Sequence, residues 1–199
     1  MNEVEEAAEA LARGLLVVVP TDTVYGLASR PDRPEATARL FEAKRRPRDL
    51  ELPVLVPTIE AAERVAVCDA RARRLMEAHW PGPLTLVLPR AAASVGWELG
   101  GDPATVGLRR PRHLLTLALL ERAGPLAVTS ANLSGRPPPS SCEALLGLFG
   151  ESVAVYLCQE EPLTGRPSTV VDLAHGGMKV LRPGAVTEQE IDAVLEQTG

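Results

Sequence analysis

Two segments of the chain combine hydroxyl or amide side chains with glycine, as ligand-binding loops often do. Residues 20–26 read PTDTVYG and directly follow an apolar run, and residues 129–135 read TSANLSG. Their side chains could hold a small polar substrate or donate hydrogen bonds to an anion. Taken alone, the first segment is equally well interpreted as a polar turn in which Asp22 bonds nearby amides. The second segment favours a binding loop.

A third segment, residues 44–48, reads KRRPR and places four cations in five residues of a chain whose net charge is -5. Arginine binds phosphate oxygens through two parallel hydrogen bonds and lysine supplies a compact charge, so the cluster suits a nucleotide. Cations at the end of a helix also complement its dipole, and the segment alone favours that structural interpretation. Because the chain has neither a P-loop nor a GxGxxG motif, nucleotide binding would depend on side chains and irregular loops.

A fourth candidate pairs Ser168 and Thr169 with Arg182 across a predicted hairpin, although an arginine at a strand end could equally face solvent. Other chemistries have weaker support. His79 and the two other histidines are isolated and lack metal-ligand spacing, so packing or surface positions are expected for them. The chain has no GxSxG motif of a serine hydrolase.

The cysteines predict no disulfide, because Cys68, Cys142 and Cys158 are odd in number and far apart in the sequence. Core positions are expected for them, and a reducing cytosol fits. The acidic N-terminus is unlike a secretory signal, and no run approaches the roughly 18 apolar residues of a membrane span. A soluble, cytoplasmic protein is expected.

Composition predicts one globular domain over residues 1–199, with 45% hydrophobic and 24% charged residues. The negative net charge argues against non-specific coating of nucleic acid, which needs a basic surface. Apolar runs predict buried strands over residues 15–19, 53–56, 84–88, 105–109 and 126–129.

Helical spacing of apolar residues predicts helices that end at Gly14, Pro47 and Gly124 and helices that begin at Thr58 and Asp69. Capping-box spacing in Ser140–Glu143 and Thr187–Glu190 predicts two later helix starts. Three further strands are predicted at 153–157, 169–173 and 178–181, the last two joined as a hairpin through Gly176 and Gly177. The expected fold is one α/β domain with a twisted, open, mixed sheet flanked by helices.

Seven motifs in this order closely resemble the threonylcarbamoyl-AMP synthase family, also called YrdC-like, in its short single-domain form. The resemblance covers nearly the whole chain, and seven motifs at family spacing outweigh the structural interpretation of each one alone. The motifs are PTDTVYGL from Pro20, KRRP from Lys44, HWPGPLTLVL from His79, VGLRRPRH from Val106, TSANLSG from Thr129, STVVDL from Ser168 and LRPG from Leu181.

The resemblance implies a concave, positively charged cavity and a nucleotidyltransferase reaction. L-threonine captures bicarbonate as a carbamate, the carbamate attacks the α-phosphate of ATP, and pyrophosphate leaves. The threonylcarbamoyl adenylate then passes to a threonylcarbamoyl-transferase complex that modifies the adenosine beside the tRNA anticodon. Mg²⁺ is expected to accompany the nucleotide without dedicated protein ligands, and weak RNA binding is an accompanying expectation.

The resemblance also assigns site residues. Thr23, Arg109 and Ser168 are expected to hold threonine, with Thr21 and Tyr25 shaping the wall of that pocket. Lys44 and Arg46 are expected to be catalytic. The residues expected to contact ATP are Lys44, Arg46, Thr105, Ser130, Asn132 and Arg182.

Two departures from the family pattern stand out. After KRRP the family often has a polar residue followed by Pro-Leu, whereas this chain has Leu50-Glu51-Leu52, which puts an ATP contact near position 50 in doubt. No additional C-terminal domain is expected after the LRPG motif. Two rivals remain: an RNA-binding module, weakened by the scarcity of aromatic residues, and a carbamoyl-AMP-forming relative that uses carbamoyl phosphate.

Overall fold

The computed structural model describes residues 2–159, 163 and 165–196, and nine strands within these ranges form one sheet. The strands are β1 (Val17–Val19), β2 (Gly26–Ser29), β3 (Val54–Leu55), β4 (Leu84–Pro89), β5 (Thr105–Arg109), β6 (Leu126–Ser130), β7 (Val155–Tyr156), β8 (Thr169–Asp172) and β9 (Lys179–Arg182).

The sheet is open and mixed, as the sequence predicted, and its strand order is β7-β1-β2-β6-β3-β5-β4-β8-β9. Strands β3 and β5, β4 and β8, and β1 and β7 pair in parallel, while the other neighbours are antiparallel. Strands β8 and β9 form the predicted hairpin, with Gly176 and Gly177 both at positive φ in its turn. This order places β2 beside β6, and β5 and β8 on either side of β4, although these strands are distant in the sequence.

Seven α-helices and two short 3-10 helices, Ala92–Ser94 and Gly150–Ser152, lie within the described ranges. The α-helices are α1 (Glu3–Ala12), α2 (Pro34–Lys44), α3 (Ile59–Val65), α4 (Ala70–His79), α5 (Leu114–Ala123), α6 (Cys142–Phe149) and α7 (Glu188–Glu196). Side-chain oxygens cap several N-termini: Asn2 accepts from Glu5 N–H, Thr58 from Ala61 N–H and Asp69 from Ala72 N–H. No helix in the described part of the chain is long and apolar enough to cross a bilayer.

The core consists of two apolar layers, one on each face of the sheet. Val17 and Val19 pack into the layer that holds α1 and α5, whereas Val18 belongs to the layer that holds α2, α3 and α4. Side chains alternate between the faces of a strand, so an unbroken run of valines is what a strand covered on both sides requires. The prediction of a doubly buried strand at 15–19 is confirmed for Val17–Val19, whereas residues 15 and 16 precede the strand.

Two details of the prediction are wrong. Strand β2 was not predicted, because its sequence GLAS shows no apolar alternation and the strand forms through its tertiary pairing with β1 and β6. A Cβ at Gly26 would lie 2.5 Å from Val128 Cγ1, so this close pairing depends on glycine. Helix α6 is capped by Ser141, whose hydroxyl accepts from Ala144 N–H, and not by Ser140.

The reciprocal capping box at Thr187 and Glu190 is confirmed. Thr187 N–H donates to Glu190 Oε2 at 2.7 Å, and Glu190 N–H donates to the Thr187 hydroxyl at 3.3 Å. Each of the two residues therefore satisfies a backbone donor at the start of α7.

The expectation of unpaired cysteines is wrong for two of the three. Cys142 and Cys158 form a disulfide with their Cα atoms 5.8 Å apart, and both are half-buried rather than in the core. They are 16 residues apart, and only the packing of the start of α6 against the segment after β7 brings them together. Cys68 is free, and burial raises the pKa of its thiol to about 11.

Arg45, which follows α2, has φ of 51° and is the non-glycine residue with a left-handed backbone in the described ranges. This conformation costs a residue with a Cβ roughly 1 kcal/mol. Arg45→Gly should therefore raise the free energy of unfolding by about 0.5 to 1 kcal/mol, measured by urea denaturation. Arg13, the cap of α1 at φ -83°, is the matched control: Arg13→Gly should not stabilise the protein, and equal effects of the two changes would contradict the backbone argument.

His175, more than half exposed, joins two segments through its ring: Nδ1 lies 2.9 Å from Asp172 and Nε2 lies 3.2 Å from Asp102. Hydrogen bonds with Asp172 and then Asp102 raise the pKa of His175 above its ordinary value. A raised pKa means that the stabilisation is fully present below the unfolded-state value, about 6.5, and is lost as the pH rises through the folded-state value.

His175→Asn should therefore lower the melting temperature relative to the unmodified protein at pH 5.5. The difference should shrink to near zero at pH 8.5, where the imidazole is neutral. Thermal unfolding of both proteins across this pH range measures the effect, and a difference that does not change with pH would mean that the contact acts without charge.

Candidate functional site

A cavity of about 420 Å³ is lined by residues on seven strands, β2 to β6, β8 and β9, and by the segments next to them. Three arginines, several hydroxyl groups and one carboxylate from the described residues lie on its wall, together with valine, leucine and proline side chains. Eight of the predicted site residues line it: Thr21, Thr23, Tyr25, Arg46, Arg109, Ser130, Ser168 and Arg182. The prediction of a concave, basic cavity matches this wall.

Arg109, the last residue of β5, has a buried guanidinium with fixed geometry. Its Nε donates to Gly82 O at 3.1 Å, Nη1 donates to Thr23 Oγ1 at 3.1 Å and Nη2 donates to Asp22 Oδ1 at 2.5 Å. These bonds use three of the five guanidinium N–H groups and leave one on each terminal nitrogen. Each remaining N–H group is a charged donor that could bind a carboxylate oxygen of a ligand.

Asp22 is a site residue that the sequence reasoning treated as a turn former. Its side chain is only 13% exposed, and the Oδ1 that pairs with Arg109 also accepts from Arg112 N–H at 2.9 Å. Burial lowers the pKa of Arg109, and the charge of Asp22 opposes that shift. The signal in the sequence was an acid between two threonines immediately after a buried strand, but nothing there indicated its distant partner.

Thr21 fixes the shape of the turn that carries Thr23. Its hydroxyl accepts from Thr23 N–H at 3.1 Å and Val24 N–H at 3.2 Å, and lies 2.6 Å from Val24 O. The Thr21 and Thr23 hydroxyls are 2.9 Å apart. Thr21 therefore positions Thr23 and Arg109, while Tyr25 anchors the adjoining wall through its hydroxyl, which accepts from Gln159 N–H at 3.2 Å.

Ser168 and Arg182 form the opposite wall. Arg182 Nη2 donates to the Ser168 hydroxyl at 2.9 Å and to the Ser168 carbonyl at 2.8 Å. The Ser168 hydroxyl lies 3.0 Å from that of Thr85, which the sequence reasoning missed because it sits within the apolar run of β4. Arg182 is exposed, and the partial burial of its guanidinium lowers its pKa.

Lys44, Thr105 and Asn132 do not line the cavity. Lys44 is 1% exposed, and its ammonium group donates to the backbone carbonyl of Ser130, to Asn132 O at 2.8 Å and to Asn132 Oδ1 at 3.2 Å. Three acceptors match the three N–H groups of a lysine. Lys44 thus holds the turn after β6 that places Ser130 on the wall, while burial, aided by Arg46, lowers the pKa of Lys44 to about 7.

Arg46 and Glu51 lie together at another part of the wall. Arg46 Nη2 donates to Glu51 O at 2.9 Å, and its Nε donates to Leu50 O at 3.3 Å. The Glu51 carboxylate accepts from Gly107 N–H at 3.0 Å, and burial raises its pKa. The sequence reasoning marked residues 50–52 only as a departure and did not place Glu51 in the site.

The described side chains around the cavity do not form a site that could coordinate a metal ion by itself. Within residues 2–159, 163 and 165–196, no group of three or more histidine, cysteine, aspartate or glutamate side chains could hold an ion. Mg²⁺ is often held by one or two carboxylates, waters and the phosphates of a substrate. The residues present therefore fit a divalent cation only when a ligand supplies most of its oxygens.

The buried pair of Asp22 and Arg109 should be far more important for stability than an exposed pair of the same kind. Asp22→Asn leaves a desolvated guanidinium without its counter-charge and should cost about 3 kcal/mol of unfolding free energy. The matched control is Asp32→Asn, which removes the surface partner of Arg30 and should cost less than about 1 kcal/mol. Urea denaturation compares the two variants. Equal losses of unfolding free energy would show that the buried pair stabilises the protein no more than the exposed pair does.

The chain is similar over most of its length to one protein family. Residues 9–184 match the family model Sua5_yciO_yrdC, which is described as "Telomere recombination". A protein of Mycobacterium tuberculosis (strain CDC 1551 / Oshkosh) is 43% identical over 190 residues, which cover 95% of this chain and 87% of that protein.

Two further relatives are longer than this chain. The protein of Bacillus subtilis (strain 168) named "Threonylcarbamoyl-AMP synthase" is 35% identical over 195 residues, and the match covers 97% of this chain and 56% of that protein. The crystal structure of P. abyssi Sua5 complexed with L-threonine has a TM-score of 0.87 at 35% identity, covering 98% of this chain and 57% of that one. The chain thus spans little more than half the length of these two proteins.

Proposed function

The chain belongs to the Sua5/YciO/YrdC family, and from that premise we propose that it is an L-threonylcarbamoyladenylate synthase. It condenses L-threonine, bicarbonate and ATP into threonylcarbamoyl-AMP and pyrophosphate. The name of the B. subtilis relative and the threonine bound to P. abyssi Sua5 support this reading.

The observation that carries the proposal is the geometry of Arg109. Its two remaining N–H groups receive the carboxylate of threonine, and Thr23 and Ser168 provide hydroxyls beside it. Because Gly82 O, the Thr23 hydroxyl and Asp22 accept the other three N–H groups, the guanidinium is held in this orientation. The amino group of threonine would then face the rest of the cavity, whose wall also carries Arg46 and Arg182.

The reaction needs little covalent participation by the protein. The neutral amine of threonine forms a C–N bond with carbon from bicarbonate and water is lost, which gives a carbamate. A carbamate oxygen then attacks the α-phosphorus of ATP as the bond to pyrophosphate breaks. Arg46, Arg182 and the Ser130 hydroxyl neutralise and orient the phosphates, so positioning and electrostatics supply the rate enhancement.

The residues behind the wall act through those on it. Lys44 and Asn132 hold Ser130 in place, and the buried Thr105 begins the strand that ends in Arg109. Mg²⁺ would be held mainly by the phosphates of the nucleotide, where it would neutralise phosphate charge. The product passes to a transferase complex that modifies the adenosine beside the tRNA anticodon, and contact with RNA is weak because the chain is acidic overall.

Release of pyrophosphate from ATP, in the presence of Mg²⁺ and bicarbonate, should require L-threonine. Arg46→Ala should lower kcat/KM for ATP about 100-fold, the size typical of removing one donor that stabilises developing charge. Arg48→Ala is the matched control from the same cationic cluster: Arg48 lies over the Phe41 ring and 3.9 Å from Glu98, so the change should alter kcat/KM less than about threefold.

Two other results would contradict the proposal. Binding of ATP or RNA without any threonine-dependent release would indicate a binding module with this fold. Release that depends on carbamoyl phosphate and not on threonine would indicate a carbamoyl-AMP-forming enzyme.

A further inference from the structure

Glu51 is the one carboxylate on the cavity wall among the described residues, and it faces the same space as three arginines. It lies beside Gly107, two residues before Arg109 on β5. Residues two apart on a strand face the same side and are about 7 Å apart. Glu51 therefore lies further along the cavity floor than the place proposed for the threonine carboxylate.

The position of Glu51 is fixed by its neighbours. Leu52 N–H donates to Leu99 O at 2.8 Å, and Gly101 N–H donates to Arg48 O at 3.0 Å. Gly101 has φ of 60°, and a Cβ there would lie 2.7 Å from Glu51 Cβ. The loop that contains Gly101 thus packs directly against Glu51.

The Glu51 carboxylate accepts a backbone N–H group that has no partner on the neighbouring strand. Strand β3 begins at Val54, which pairs with Leu108, so the preceding Gly107 N–H has no strand partner on that side. Glu51 Oε1 accepts this N–H at 3.0 Å. A carboxylate has about four acceptor positions, and this bond uses one of them. Glu51 thus has acceptor capacity left for a ligand.

Gly107 leaves room beside that carboxylate. A Cβ at position 107 would meet Thr85 and Pro53 at 3.6 and 3.7 Å, which are ordinary contact distances. Packing within the protein therefore does not demand glycine at this position. The space that a side chain would occupy belongs to the cavity, and a ligand can approach the backbone closely there.

The negative charge of Glu51 restricts which groups of a ligand can bind next to it. Phosphate oxygens are repelled by a carboxylate, whereas O–H groups donate to it. Ribose is the part of a nucleotide that offers vicinal hydroxyls, and carboxylates recognise those hydroxyls in other nucleotide sites. We propose that Glu51 accepts a hydrogen bond from a ribose hydroxyl of ATP and selects ribonucleotides over deoxyribonucleotides. This inference rests on the proposed function.

The test compares dissociation constants of ATP, 2′-deoxy-ATP and 3′-deoxy-ATP, measured by isothermal titration calorimetry. At least one deoxy analogue should bind the unmodified protein about tenfold more weakly than ATP, the expected size for a hydrogen bond to a charged group. Glu51→Met should weaken ATP binding and abolish the difference. Glu51→Gln keeps an oxygen for Gly107 N–H but loses the charge, so the difference should fall to about threefold.

Glu98→Gln is the matched control, because Glu98 is exposed and comes from the loop that packs against Glu51. It should leave all three dissociation constants unchanged. Binding of threonine to each variant reports whether the Arg109 end of the cavity is intact. The unmodified protein tests the inference even if a Glu51 variant fails to fold.

Equal binding of ATP and both deoxy analogues by the unmodified protein would overturn the inference. An equal loss for all three nucleotides in Glu51→Met, relieved by higher Mg²⁺, would also overturn it and indicate that the carboxylate serves the metal. Neither result would contradict the proposed function. That function is contradicted only if pyrophosphate release from ATP does not require threonine.

Discussion

The site depends on one buried charge, the guanidinium of Arg109. A cation withdrawn from water is tolerated only when a counter-charge and hydrogen-bond acceptors surround it. Asp22, which is 87 residues away in the sequence, supplies the counter-charge, and Gly82 O and the Thr23 hydroxyl complete the set. The turn between β1 and β2 must therefore meet the end of β5, and the strand order of the sheet makes this contact possible.

Lys44 is also a buried cation that needs acceptors around it, but unlike Arg109 it does not line the cavity. Its ammonium group is almost completely buried, and the Ser130–Asn132 turn surrounds it with three oxygens. Since the acceptors occupy all three of its N–H groups, Lys44 determines where Ser130 lies and has no donor to spare for a ligand. Two neighbouring cations of the KRRPR segment thus differ in function: Lys44 holds a wall in place, and Arg46 lies on it.

The sequence predicted the features that depend on local patterns. Runs such as LLVVV identified doubly buried strands, and seven motifs identified the family and most of the cavity wall. It did not predict features created by contacts between distant segments: strand β2, the Cys142–Cys158 bond, the partner of Asp22 and the Thr85 hydroxyl. A polar residue within an apolar strand, or an acid within a turn, has many local explanations, and only the tertiary structure selects among them.

Residues 50–52, which depart from the family pattern, also have environments that are set by contacts with distant segments. Leu52 is fully buried in the core, Leu50 is 44% exposed, and Glu51 between them lines the cavity. Glu51 is half-buried, and the Gly107 N–H uses only one of the roughly four acceptor positions of its carboxylate. The raised pKa of Glu51 reflects that incomplete compensation, because burial outweighs the bond to Gly107 and the charge of Arg90. A ligand hydroxyl is a donor that this carboxylate can accept, so a residue that departs from the family pattern lies where it can contact a ligand in the cavity.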